Sequence, residues 1–379
     1  MKFIHLSDLH IGKRVNEFSM IEDQKFILKK ILHIIDDQNP DAVIIAGDIY
    51  DKSVPSAEAV EVFDDFIVEL KSRNVQTFII SGNHDSAERL AFGGRIMDLE
   101  GIHFSPVYNG EISPIILKDK FGNVNIYMLP FIKPIHVISC FLDEKISSYT
   151  DAVSVAVNNM NIDQKQRNVI ITHQFVTGAS RSDSEEISLG GSDNVDGSIF
   201  ESFDYTALGH IHSPQNVGSE KIRYCGTPLK YSFSESKQKK SVTVVELFEK
   251  GNLSVTTVPL EPLRDMVEIK GKYDEITLKS FYENTSLRND YIHITLTDEE
   301  DIPDAISRLR VIYKNIMKLD YDNMRTRHVA DIYTNDNVET KSPTELFGDF
   351  YQMQNGVEMS QTQADYINAA IEKIWEESE

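Results

Sequence analysis

Four short runs of β-branched or apolar residues in this chain each end on a polar motif. Phe3-Ile4 runs to Asp8-Leu9-His10. Val43-Ile44-Ile45 runs to Gly47-Asp48, with Asp51 close behind, and Phe78-Ile79-Ile80 to Gly82-Asn83-His84-Asp85. Val169-Ile170-Ile171 runs to Thr172-His173, and a further motif, Gly209-His210-Ile211-His212, follows downstream. Runs of this length without polar alternation read as strands buried on both faces. Open α/β sheets place their sites in the crevice outside the carboxyl ends of the strands. Donors far apart in sequence can therefore meet at one point.

All five motifs offer oxygen or imidazole donors and none offers a thiolate. That set suits Mn²⁺, Fe²⁺ or Zn²⁺ better than Ca²⁺ or a structural zinc, with Mn²⁺ the first choice and Mg²⁺ also open. A pair of divalent ions about 3.5–4 Å apart needs one shared carboxylate and single-atom ligands around each ion. Asp48 is the expected bridge. Asp8, His10 and one histidine of the His210/His212 pair are expected at the first ion. Asn83, His173 and the other histidine are expected at the second. His84, adjoining Asn83, is expected to point elsewhere, toward an incoming phosphate, and to stabilise the transition state or protonate the leaving oxygen. Asp85 is expected to cap a helix that starts there. Gly47, Gly82 and Gly209 allow the backbone to approach closely. Two such ions lower the pKa of a shared water and neutralise charge developing at phosphorus, so the motifs together read as a two-metal phosphoesterase site. His5, His33, His103, His136, His293 and His328 stand outside the motifs and read as packing or surface residues, with His5 on the packing side of the first strand.

The series Asp8-x-His10, Gly47-Asp48-x-x-Asp51, Gly82-Asn83-His84-Asp85, His173 and Gly209-His210-x-His212 resembles the calcineurin-like metallophosphoesterase superfamily. Its members include phosphoprotein phosphatases, cyclic nucleotide phosphodiesterases, nucleotidases and DNA nucleases. Stretches 1–14, 47–55, 182–186, 205–214 and 224–233 are similar to the SbcD family, bacterial relatives of the Mre-type DNA repair nuclease. Nearly the whole chain takes part, least so between about 266 and 340. The resemblance implies an α/β fold: a layered β-sandwich flanked by helices, with a small α+β capping domain and a C-terminal helical tail. It also implies a nuclease subunit that forms a homodimer within a heterotetramer with SbcC, an ATPase bearing a long coiled coil. Implied activities are ATP-dependent 3′→5′ double-strand exonuclease and single-strand or hairpin endonuclease, serving DNA repair, replication and recombination. In one departure, some archaeal relatives carry histidine near position 51, where this chain has Asp51.

Composition sets limits on partners. The formal net charge is −22, whereas DNA-binding surfaces are basic and release counterions. Two bound cations would reverse the local potential, and Lys13, Arg14, Lys52, Arg89 and Arg181 lie near the motifs as candidate DNA contacts. Weak DNA binding by the chain alone is expected. No apolar run approaches the ~18 residues of a membrane span. The N-terminus runs directly into a strand, unlike a signal peptide. Cys140 and Cys225 are too few for a disulfide framework and read as small packing residues. These features suggest a cytoplasmic protein.

Residues 1–262 read as the nuclease domain, with helices expected over 22–37, carrying Ile27, Ile31, Ile34 and Ile35 on one face, and over 57–73. The second is capped by Ser56 and presents Val60, Phe63, Ile67 and Leu70. That stripe is either core or a homodimer contact. Residues 180–197 lack periodicity and read as a loop near the site, either a mobile one facing substrate or a passive excursion. Residues 263–335 form the α+β unit, with strands at 267–269 and 291–296 and a helix over 302–316 carrying Ile306, Leu309, Tyr313 and Ile316. By resemblance it caps the cleft and steers DNA. Residues 336–379 read as a partner-binding helix-loop-helix with capping boxes at Ser342-Pro343-Thr344-Glu345 and Ser360-Gln361-Thr362-Gln363, joined near Asn355-Gly356. From 342 onward there is one lysine against eight acidic residues, a charge that repels DNA. An apolar stripe that includes Ala364 could still lie on a partner helix. Leu346, Phe347, Phe350, Ile367, Ile371, Ile374 and Trp375 are the expected contacts, and family likeness suggests the base of the SbcC coiled coil. Two other functions fit part of the sequence: a phosphoesterase for nucleotides or phosphoproteins, and a scaffold that has lost catalysis. The first needs neither the cap nor the tail, and the second usually loses ligands that are all present here.

Overall fold

In a computed structural model of the chain, the described residues are 1–185, 193–324, 326, 344, 347–348, 351–352 and 358–376, with backbone alone for 369–370 and 372–376. The apolar runs do form strands, and each strand divides its side chains between two cores. Along Ala42–Ala46, Val43 and Ile45 face one core while Ala42, Ile44 and Ala46 face another, all fully buried. Phe78 and Ile80 are separated from Ile79 in the same way. Burial on both faces is what removes polar alternation from these segments.

Two six-stranded sheets result. The first runs in the order Leu253–Pro259, Ser241–Leu247, Lys2–Leu6, Ala42–Ala46, Gln76–Ile80, Ile102–Phe104. Its last four strands are parallel, and Ser241–Leu247 pairs antiparallel with Lys2–Leu6. The second runs Gln215–Val217, Ser219–Tyr224, Tyr205–Leu208, Arg167–Thr172, Gly122–Leu129, Ile115–Asp119. Four parallel strands lie in its middle, with an antiparallel strand at each edge. The inner faces of the two sheets share one core that includes Phe3, Ile44, Phe78, Val169, Ile171 and Tyr205. Helices Ile21–Gln38 and Ala57–Ser72 cover the first sheet, and helix Tyr149–Asn158 covers the second. The architecture is layered α/β. His5 sits in the shared core, where its Nδ1 lies 2.8 Å from the hydroxyl of Tyr205 on the opposite sheet.

Both expected helices of the first unit are present, and the Ser56 hydroxyl accepts a hydrogen bond from Ala59 N–H. The second helix departs from the expected stripe at Val60, which is 45% exposed; Ala59, Val62, Phe63, Phe66, Ile67 and Leu70 are buried instead. Segment 180–197 is also more ordered than a plain loop. Asn194–Val195 pairs in parallel with Phe175–Val176, a two-residue strand too short to leave a periodic signal; 186–192 lie outside the described residues.

The chain divides into two compact units. One comprises Met1–Glu268, Ser286–His293 and Tyr313–Met317; the other comprises Ile269–Thr285, Ile294–Ile312 and Lys318–Glu379. Strands Met266–Gly271, Tyr291–Leu296 and Asn315–Tyr321 form a three-stranded sheet in that order. The helix expected over 302–316 is confined to Ala305–Arg310. Its start has no side-chain cap, β-branched Val311-Ile312 follows it, and Ile316 lies on a strand. Spacing of three and four residues was shared between a short helix and the strand after it. Helix Gln361–Glu376 starts behind Ser360, whose N–H donates to Gln363 Oε1 at 2.9 Å.

Arg167, 3% exposed, ties the amino end of its strand to the other sheet. Its guanidinium donates to the carbonyls of Leu247 (3.3 Å) and Phe248 (2.8 Å) and to both oxygens of Asp119. Burial pushes the Asp119 carboxyl up, but Arg167 and the Met1 amino group outweigh it and hold Asp119 below the usual carboxylate range. A depressed carboxyl contributes stability above its unfolded pKa of about 3.9, and that contribution is lost as pH falls. Asp119→Asn should therefore lower the denaturant midpoint at pH 7, and the deficit should shrink below about pH 4. A deficit that stays constant down to pH 2 would contradict this account of the network.

Candidate metal centre

The strand ends deliver the motifs to one buried pocket, and each motif is held by the backbone of another. Asp8 N–H donates to Gly47 O (3.0 Å) and His10 N–H to Asp48 O (3.0 Å). His210 N–H donates to the Asp8 carboxylate at 3.0 Å, and His84 N–H to Asp48 Oδ1 at 2.9 Å. His173 Nδ1–H donates to Ala46 O at 2.8 Å. Asp8, His10, Asp48 and His210 all adopt positive φ, at 53°, 44°, 52° and 99°. Outside glycine that backbone costs about 1–2 kcal/mol per residue, and these bonds hold it in place.

Within the pocket, Asp48 Oδ2 lies 3.3 Å from His173 Nε2, 3.6 Å from His10 Nε2 and 4.0 Å from His84 Nε2. Asp8 Oδ1 lies 3.9 Å from His173 Nε2. Asn83 Oδ1 lies 3.0 Å from both His173 Nε2 and His210 Nδ1. His10 Nε2 faces His212 Nε2 at 3.1 Å. Three groups of donors close enough for one cation recur here: Asp8, His10 and His212; His10, Asp48 and His84; and Asp8, Asp48 and His173. Asp8, Asp48, His10, His173, His210 and His212 are each at most 7% exposed.

Protonation in the pocket is strongly perturbed. Burial pushes the Asp8 carboxyl up to about 6, despite the opposing pull of His173 and His212. Burial lowers His173, but Asp48 and then Asp8 reverse this and carry it up to about 9. Burial, aided by His173, takes His210 down to about 3. His10 is also driven well down by burial, with Asp48 opposing. Burial would raise Asp48, yet the imidazoles around it, His173 first, hold it well below the carboxylate range. Carboxylates, a side-chain amide oxygen and imidazoles facing one another at these distances fit divalent cations. The facing Nε2 atoms of His10 and His212, 3.1 Å apart, either share one proton in a hydrogen bond or turn two lone pairs onto a cation.

All seven expected ligands converge, with Asn83 on the His173/His210 side. His84 does not turn away from the cluster as expected. Its Nδ1–H donates to Asp51 O at 3.0 Å, which swings the ring edge onto His10 with centroids 4.8 Å apart and leaves Nε2 facing Asp48. Asp85 is not the helix cap. Its carboxylate accepts from the N–H groups of Ile49, Tyr50 and Gly82 at 2.9–3.1 Å, three backbone donors that outcompete a cap. Ser86 caps the short helix instead. Asp51 is 3.7 Å from His10 Nδ1 and bonds Lys13 at 2.7 Å.

The remaining candidates scatter. Lys13 is engaged by Asp51, and Arg181 pairs with Asp193 at 3.0 Å while lying 3.5 Å over the Phe175 ring. Arg14 donates to Glu17 O, and Lys52 and Arg89 are exposed. In the tail, Phe347 is 38% exposed, Ile367 and Ile371 are half-buried, and Ile374 and Trp375 lie on the helix backbone. Leu346, Phe350, Ser342, Pro343, Glu345 and the Asn355-Gly356 junction lie outside the described residues. Two features escaped the sequence. The fifth motif also ends a strand, Tyr205–Leu208, whose Tyr-Thr-Ala-Leu run is too mixed to stand out. Ser184, Glu185, Glu235 and Lys240 surround His212, and nothing in their spacing signals it.

Residues 1–214 match the family described as calcineurin-like phosphoesterase, and residues 262–355 match the type 5 capsule protein repressor C-terminal domain. The SbcD subunit of the SbcCD nuclease from Staphylococcus epidermidis is 33% identical over 381 residues, covering 99% of each chain. Its namesake from Staphylococcus saprophyticus is 30% identical over 387 residues, covering 100% of this chain and 99% of that protein.

A Cβ at Gly209 would sit 1.9 Å from Ala46 O and 2.6 Å from His173 Nδ1. Backbone cannot yield there, so Gly209→Ala should push the strand ends apart. Thermal stabilisation by Mn²⁺, measured as a shift in Tm, should vanish in this variant; an undiminished shift would contradict the packing described.

Proposed function

The chain belongs to the calcineurin-like phosphoesterases and, within them, to the SbcD nuclease subunits, and from that membership we propose that it cleaves DNA phosphodiesters at a dinuclear centre. Asp8, His10 and His212 would hold one ion, Asn83, His173 and His210 the other, and Asp48 would span both. The single observation that favours this is the 3.1 Å approach of His10 Nε2 to His212 Nε2 beside two buried carboxylates. Mn²⁺ is the proposed metal. When bound, the ions would supply Lewis acidity and positive charge for hydrolysis at phosphorus.

The protein's own groups do the rest. His173 donates its Nδ1–H to Ala46 O, so Nε2 is the ring atom turned to the pocket and the one that would give up its proton to ligate a cation. His84 is fixed in the same way by Asp51 O, so Nε2 is the atom at which it exchanges a proton with substrate. Protonated there, it would serve the leaving oxygen. Asp85 and its three backbone donors keep the loop that carries Asn83 and His84 rigid against the Asp48 loop.

ATP-dependent 3′→5′ double-strand exonuclease and single-strand or hairpin endonuclease activity, in complex with SbcC, is proposed, with family membership as its support. Residues 1–262, 263–335 and 336–379 are proposed as nuclease, capping and SbcC-binding segments. A homodimer is proposed through helix Ala57–Ser72 and the segment after it. There, Val60, Phe92, Ile96 and Leu99 are 45%, 86%, 73% and 83% exposed, and Val60 and Phe92 line one groove of about 570 Å³.

Digestion of a hairpin-ended duplex with Mn²⁺, with and without SbcC, tests the proposal. His84→Gln should bind metal as the wild type does, yet lose cleavage by about 10²–10⁴-fold, the usual weight of a general acid. Cleavage of a small phosphate ester with none of duplex ends, even with SbcC present, would favour a nucleotide or phosphoprotein phosphoesterase instead. Deleting 342–379 should abolish co-purification with SbcC and leave Mn²⁺-dependent nuclease activity intact. Retained affinity for SbcC would refute the assignment of the tail.

A further inference from the structure

Every polar atom of His212 has a partner, and all but Nε2 meet residues outside the five motifs. Its N–H donates to Glu185 Oε1 at 2.6 Å. Its carbonyl accepts from Thr227 N–H at 3.1 Å and from the Lys240 ammonium at 2.9 Å. Its Nδ1 lies 2.6 Å from Ser184 Oγ. Only Nε2 remains, facing His10 Nε2. Glu185, Glu235 and Lys240 are themselves 7%, 0% and 5% exposed.

Proton direction along this chain follows from donor chemistry. Lys240 meets Glu235 Oε2 at 2.5 Å in a buried ion pair, so Glu235 is a carboxylate and can only accept. The Ser184 hydroxyl lies 2.5 Å from Glu235 Oε1 and donates to it. Its oxygen is then left to accept from His212 Nδ1–H. The imidazole is thereby fixed with the proton on Nδ1 and the lone pair on Nε2, aimed into the pocket. Carboxylates commonly orient a ligating histidine in direct contact. Here the contact runs through a hydroxyl, and Glu235 itself is 3.7 Å from His212 Nδ1.

We propose that Ser184 and Glu235 are positioning residues that set the tautomer and aim of His212, so that Ser184 serves the first ion's site. This inference rests on the dinuclear reading of the pocket. It also gives Ser184 a function other than contacting substrate, because it reaches the centre only through a ligand. Ser184→Ala would leave His212 Nδ1–H without its acceptor and remove the closest donor to Glu235 Oε1, while Lys240 still holds Oε2. Ser184→Thr retains the hydroxyl.

Calorimetric Mn²⁺ titration and metal analysis of the full-length protein test the idea. Wild type should bind two ions. Ser184→Ala should bind one as wild type and the other about 10–100-fold more weakly, the usual effect of losing such a partner. Ser184→Thr should recover most of the affinity. Asp183→Asn, whose side chain is exposed in the same segment, should match wild type. Circular dichroism and Tm establish that the variants fold. If Ser184→Ala misfolds, ¹⁵N chemical shifts of the His212 ring in metal-free wild type decide the matter, because a proton on Nε2 instead of Nδ1 would overturn the proposal. Two ions bound by Ser184→Ala with unchanged affinities would overturn it as well. Fewer than two in wild type would instead refute the dinuclear reading.

Discussion

The hydrogen bond from His173 Nδ1–H to the carbonyl of Ala46 joins the two sheets where their parallel strands end. Ala46 closes a strand of the first sheet, and His173 follows a strand of the second. Asp8, Asp48 and Asn83 follow strands of one sheet and His173, His210 and His212 follow strands of the other, and this contact ties the two sets together. The approach is close enough that Gly209 has no room for a Cβ beside Ala46 O. The shared core behind it, built from Phe3, Ile44, Phe78, Val169 and Ile171, supplies the apolar burial that holds the sheets at this distance.

From that junction the pocket acquires its chemistry. Burial drives Asp8 up and His10 and His210 down, while the facing charges carry His173 up and hold Asp48 down. Such perturbation marks a site built for charge. Four residues with left-handed backbone, two of them histidines, sit at its rim. Interlocking backbone bonds between motifs offset that strain. Stability is thus committed to geometry at the strand ends, and the layered cores supply it.

Overall acidity and function are reconciled locally. The formal charge of −22 describes the whole chain, whereas a phosphodiester would meet two cations and the imidazole of His84. Lys13 and Arg181 already have acidic partners in Asp51 and Asp193, which leaves Arg14, Lys52 and Arg89 as the freer candidates for DNA. Under the proposed function, affinity for duplex ends would rest largely on the metal centre and on a partner protein.

The order and chemistry of the motifs were legible in the sequence because strands buried on both faces write themselves as unbroken apolar runs, and their ends write themselves as Gly, Asp, Asn and His. That sufficed for four of the central strands, the first two helices and the seven converging donors. Where short-range pattern is ambiguous, packing decided. The helix over 305–310 gives way to a strand, Val60 stays exposed, and Asp85 serves three backbone donors instead of a helix end. The orientation of His84 and the grip of Ser184, Glu235 and Lys240 on His212 were settled only in three dimensions. Such contacts join residues from distant segments through single hydrogen bonds, and no periodicity in a chain records a hydrogen bond made across a fold.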